Sequence, residues 1–273
     1  MYESYWQLNQ KPFENTSDSR FYYPAESHQS ALLKLRYVVE NRRSAALLTG
    51  PSGTGKTLIA QSLAKQLPEQ SSPVVHVVFP QLPADQLVSY LSDELTGERI
   101  AATATLEQSL RRFENSLRLN CEAGRHAVVV IDEAHLLRET PALETMRLLL
   151  NYEFDCHPSF TLILIGQPGL LSAMARLPEL DERIDAKCLL GKLTIDETIS
   201  YVSHRMFAAG ARRDIFASDA LEVLHYLSQG IPRRLNRLAD LALVVGYAEE
   251  LPYISALQVE AVADELLVPV NDA

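Results

Sequence analysis

One octapeptide constrains this chain more than any other feature. Gly50-Pro51-Ser52-Gly53-Thr54-Gly55-Lys56-Thr57 matches the phosphate-binding pattern GxxxxGK[ST]. Glycines in such a loop let backbone N–H groups turn inward around phosphate oxygens, and the loop delivers them to a helix N-terminus. The spacing predicts that Lys56 reaches the β- and γ-phosphates of ATP and that the Thr57 hydroxyl ligates Mg²⁺. The flanks agree: Ala45–Thr49 reads as a buried strand, and residues 58–67 read as a helix.

A second run completes the chemistry. Val128-Val129-Val130-Ile131 reads as a buried strand that ends in Asp132-Glu133. Asp132 is placed to hold Mg²⁺ through its water shell, and Glu133 to polarise a water in line with the γ-phosphate. ATP cleavage, beyond binding, is therefore the expectation. Asp132-Glu133-Ala134-His135 also spells a helicase box. A helicase of that class needs two motor domains and further motifs, whereas this chain carries one phosphate loop. His135 reads as a residue packed behind the site, and the other histidines show no metal-ligand spacing.

Strand-like and helical patterns alternate around these motifs. Residues 45–49, 74–79, 127–131 and 161–165 are short and apolar on successive residues, as strands with both faces covered are; residues 187–190 are a fifth candidate. Thr140-Pro141 is a start signal for a helix through Leu143, Met146 and Leu150. After Gly191 only helical patterns remain. Thr194-Ile195-Asp196-Glu197 and Ser255-Ala256-Leu257-Gln258 read as capping boxes, and Ser218 as an N-cap. Gly230-Ile231-Pro232 separates a second helix from a third over residues 233–248. The expected architecture is α/β: a parallel-sheet αβα core of the P-loop NTPase type over residues 1–190, then a small helical domain over 191–273.

Composition narrows the function classes. Hydrophobic residues at 47% and charged residues at 22% are a globular balance over 273 residues, which excludes a disordered or fibrous chain. The net charge of −10 opposes wrapping of nucleic acid or docking on an anionic membrane. Cys121, Cys156 and Cys188 form no CxxC pair and read as reduced thiols. The opening residues do not read as a signal peptide, and no apolar stretch reaches the length of a membrane span. A soluble, cytoplasmic location is the expectation.

Further motifs carry a family resemblance. Pro12-Phe13 through Arg20-Phe21-Tyr22-Tyr23 and Ser27-His28, Leu164-Ile165-Gly166-Gln167-Pro168, Leu180-Asp181-Glu182-Arg183-Ile184 and Gly230-Ile231-Pro232-Arg233-Arg234-Leu235-Asn236 accompany the phosphate loop in order. With them the chain resembles an AAA+ ATPase, specifically the ATPase module of the general secretion pathway protein A family, over almost its whole length. The resemblance implies that the strand before Gln167 lies between those feeding the phosphate loop and Asp132-Glu133. It implies that Gln167 points its amide at the γ-phosphate or attacking water, and that Arg183 is an arginine finger for a neighbouring subunit, with Arg176 the other candidate. Arg233 would be carried to the nucleotide by the helical lid. Phe21-Tyr22-Tyr23 is either a wall for the adenine or an ordinary core or surface patch. Two functions follow from different classes. One is an ATPase that forms a homo-oligomeric ring or filament with ATP and switches a protein partner. The alternative is a DNA-associated ATPase, for which Arg111-Arg112 and Arg233-Arg234-Arg237 are the basic clusters.

Overall fold

The computed structural model describes residues 1–15, 19–99, 105–137 and 141–267. Contacts divide the chain into an α/β unit, Glu26–Ser52 with Lys56–Leu190, and a helical unit. The helical unit comprises Met1–Ala25, Gly53–Gly55 and the chain from Gly191 onward.

The α/β unit contains β1 (Ala45–Thr49), β2 (Val74–Val77), β3 (Ala127–Ile131), the short hairpin β4 (Glu153–Phe154) and β5 (His157–Pro158), β6 (Phe160–Gly166) and β7 (Ile184–Leu189). Five strands form one parallel sheet in the order β2-β3-β6-β1-β7. β6 therefore lies between β1 and β3, the placement the resemblance implies. Every residue of β1, β3 and β6 is buried, which is why these three read as unbroken apolar runs. Alternate residues serve opposite faces. Leu47, Val129 and Leu162 pack with Phe113 and Leu117 on one side, and Leu48, Val130 and Ile163 with Leu35, Ile59 and Leu63 on the other.

The edge strands depart from expectation. β2 stops at Val77, and Val78 and Phe79 are each 64% exposed beyond it. β7 begins at Ile184 and alternates buried with exposed residues, so the expected segment 187–190 caught only its end. The start signal at Thr140 lies outside the described residues; Pro141 occupies the N-cap position of the Ala142–Leu149 helix.

The helical unit holds Glu3–Trp6, Ile195–Ala208, Ser218–Ser228, Pro232–Ala248 and Ala256–Leu267. Thr194 and Glu197 form the reciprocal capping box expected. Ala217, not Ser218, is the N-cap of the next helix, and it makes no side-chain cap bond. Ser255 makes half of its box: its N–H reaches Gln258 Oε1, but its hydroxyl donates to that same oxygen. Residues 1–25, expected in the α/β core, group instead with the helical unit. The cause is aromatic burial. Trp6 is 1% exposed with Nε1 donating to the Leu243 carbonyl at 3.0 Å, and Phe13 and Phe21 enter the same apolar cluster as Leu235 and Leu243. Among the described residues no helix is long and apolar enough to cross a membrane.

Candidate nucleotide-binding site

Strand register brings the functional residues to one sheet edge. Thr49 at the end of β1 pairs with Gly166 at the end of β6, and Ile131 at the end of β3 pairs with Leu164. The residues that follow, Gly50, Asp132 and Gln167, therefore leave the sheet on the same side. Gly50 N–H donates to the Gly166 carbonyl at 3.2 Å, fixing the root of the phosphate loop.

The loop then turns through Gly53 at φ 82° and Gly55 at φ 97°, conformations that a side chain would oppose. Pro51, Ser52 and Thr54 fill the intervening positions, and the Lys56–Gln66 helix starts directly after. Lys56 is 6% exposed, and Nζ donates to the Gly50 and Pro51 carbonyls, both at 2.9 Å. In the helical unit, Arg233 N–H donates to the Gly53 carbonyl at 3.2 Å. Its exposed guanidinium makes no hydrogen bond or ion pair with any described residue.

Thr57 and Asp132 are 75 residues apart in sequence, yet Thr57 Oγ1 donates to Asp132 Oδ2 at 2.6 Å. The other carboxylate oxygen accepts Glu133 N–H at 2.8 Å. Buried His76 Nε2 has no hydrogen-bond partner and sits 3.9 Å from Asp132 Oδ2, a separation that a bridging water fits. A hydroxyl and a carboxylate meeting beside an orphaned nitrogen suit a hard, hydrated cation such as Mg²⁺.

Glu133 stands in the left-handed region at φ 51°, which an ordinary residue avoids. Its carboxylate is 44% exposed and lies 3.3 Å from His135 Nδ1. Gln167 sits half-buried with its side-chain amide unengaged by any described residue.

Residues 39–174 match the AAA domain family. The chain is also 35% identical over 253 residues, 91% of its length, to general secretion pathway protein A of Aeromonas hydrophila. The chain carries an AAA domain. This AAA chain spans 45% of that relative's length. Its fold is shared with the ORC2 protein of Aeropyrum pernix, at TM-score 0.71 and 17% identity over 94% of this chain and 72% of that one. Drosophila ORC, solved bound to DNA, matches at TM-score 0.72 and 15% identity over 97% of this chain and 66% of that one.

Two residues singled out in the sequence lie away from the loop. Arg183 precedes Ile184, which pairs with Ala45 at the far end of β1. The five residues of β1 separate it from the loop, roughly 16 Å at about 3.3 Å per residue. Its guanidinium donates to Asn151 Oδ1 at 2.5 Å. Phe21 is 6% exposed and packs in the helical unit, with the Arg205 guanidinium 4.8 Å above its ring. Sequence reasoning missed His76 beside Asp132 and the contact between His135 and Glu133. The only available signal was a polar residue inside a strand and another just after the acidic pair.

Proposed function

We propose that this chain is a Mg²⁺-dependent ATP hydrolase whose nucleotide state switches its assembly and its action on a protein partner. The observation that carries this reading is the 2.6 Å bond between Thr57 and Asp132, which unites the phosphate loop with the acidic strand end. Loop N–H groups and Lys56 bind the phosphates, and Thr57 and Asp132 hold Mg²⁺. The metal, when bound, neutralises charge on the phosphate oxygens. Glu133 accepts the proton of the attacking water, Gln167 orients that water or the γ-phosphate, and Arg233 contributes positive charge from the helical domain, residues 191–273. Free thiols at Cys121, Cys156 and Cys188 support a reducing, cytoplasmic setting.

A protein partner is preferred to DNA because each arginine of one basic cluster already faces a carboxylate. Arg111 pairs with Glu107 at 2.7 Å, and Arg112 with Asp93 at 3.3 Å.

Two variants test the reading. Lys56→Ala should lose ATP binding. Glu133→Gln should keep parental affinity while turnover drops about 100- to 10,000-fold, the usual range for a positioned general base. Titration of a fluorescent ATP analogue and phosphate release with Mg²⁺ or EDTA measure both. Undiminished affinity in Lys56→Ala, or parental turnover in Glu133→Gln, would overturn it.

A further inference from the structure

His135 carries more of the site than a packing role requires. It belongs to the short 3₁₀ turn Ala134–Leu137 and its side chain is 14% exposed. One ring nitrogen, Nδ1, faces two groups at once. Glu133 Oε2 lies 3.3 Å away, and Gln167 N–H donates to the same nitrogen at 3.5 Å. Gly166 makes this approach feasible, since a Cβ there would stand 3.1 Å from His135 N and 2.9 Å from Leu170 Cδ2.

The two contacts compete for one position in the ring plane. With its lone pair exposed, Nδ1 accepts Gln167 N–H but offers the Glu133 carboxylate no proton. With a proton in place, Nδ1 donates to Glu133 and can no longer accept from Gln167. Glu133 holds a left-handed backbone at φ 51° while its carboxylate stands 3.3 Å from the ring.

We propose that His135 is a positioning residue that orients the Glu133 carboxylate and couples it to the backbone of Gln167. A shift of the β6 end changes the partner of Nδ1, and with it the freedom of Glu133. The proposal rests on the reading that Glu133 activates water.

The test uses the full chain with His135→Phe, which keeps a ring without Nδ1, and His135→Asn, which restores a donor and acceptor near that place. His135→Phe should lower kcat at least tenfold while ATP affinity and Tm stay near parental. His135→Asn should recover much of the loss. Parental kcat in the Phe variant, or equal losses of affinity and kcat in both variants, would overturn the proposal. A second measurement does not depend on turnover. The ¹⁵N resonance of His135 Nδ1 should move between the parent and Glu133→Gln; an unchanged resonance would show that the two groups are uncoupled. An inactive parent with a moving resonance would refute the hydrolase reading and leave the coupling standing.

Discussion

His126 shows how much one buried residue can say. It is 2% exposed at the start of the core, and its Nε2 lies 2.8 Å from Thr161 Oγ1. Thr161 spends its own proton on the Arg43 carbonyl at 2.6 Å, so the histidine must be the donor, and Nδ1 is left buried without a partner. Burial, helped by the nearby Arg42 charge, pushes the imidazole down to about 4 from 6.5. Between those values the unfolded chain binds the proton and the folded chain does not. Stability from this group is therefore complete above pH 6.5 and is lost as pH falls toward 4, to a limit of roughly 3 kcal/mol. Urea unfolding at pH 7 and pH 4.5 should show a smaller drop in His126→Asn than in the parent; equal drops would remove His126 from the account. The phosphate loop and Asp132-Glu133 were legible because each lies in consecutive residues. The bond from His126 to Thr161 of β6 and the link from His135 to Gln167, just after β6, were not, because each spans more than thirty residues.

Elements were legible in proportion to their burial. β1, β3 and β6 are covered on both faces and announce themselves as apolar runs, whereas the edge strands β2 and β7 alternate and blurred at their ends. The N-terminal segment gave no periodic signal at all, because its place is fixed by a distant cation. Arg205, on the Ile195–Ala208 helix, is 5% exposed and donates to the Pro12 and Glu14 carbonyls, both at 2.6 Å. It also donates to Tyr201 Oη at 3.2 Å, while Tyr201 in turn donates to Asn236 at 2.8 Å. Asn236 reaches back to Asn15 at 2.9 Å, so the Gly230–Asn236 motif helps hold the same segment. Removing the guanidinium would strand two carbonyls that no longer have a donor. Arg205→Leu should therefore cost roughly 3 kcal/mol and expose the first 25 residues to protease. Limited chymotrypsin digestion read by mass spectrometry checks this, with Phe13 and Phe21 as the sensitive sites. Cleavage there no faster than in the parent would mean that aromatic packing alone anchors the segment.

At the scale of the whole molecule, the position of Arg183 bears on the assembly we propose. The roughly 16 Å of β1 between it and the phosphate loop exceed the reach of an arginine, so it cannot serve the nucleotide of its own chain. If it stabilises charge at a γ-phosphate, that phosphate belongs to a second copy, and the hydrolytic site is complete only at a head-to-tail interface. Such heterologous contacts close into rings or extend as filaments. ATP held between copies favours the oligomer by mass action, so size-exclusion chromatography should show a larger species with ATP than without. Arg183→Ala should keep ATP binding and lose most hydrolysis. Activity should return when it is mixed with Glu133→Gln, because that subunit donates its own Arg183 to an intact Glu133. Arg176 is the competing finger, since it is exposed and its guanidinium meets no described residue, whereas Arg183 must first release Asn151. Arg176→Ala run beside it separates the two: loss of hydrolysis there, with Arg183→Ala unaffected, transfers the role to Arg176. Turnover per subunit that is independent of protein concentration, from a chain that stays monomeric with ATP, would exclude either arginine acting in trans.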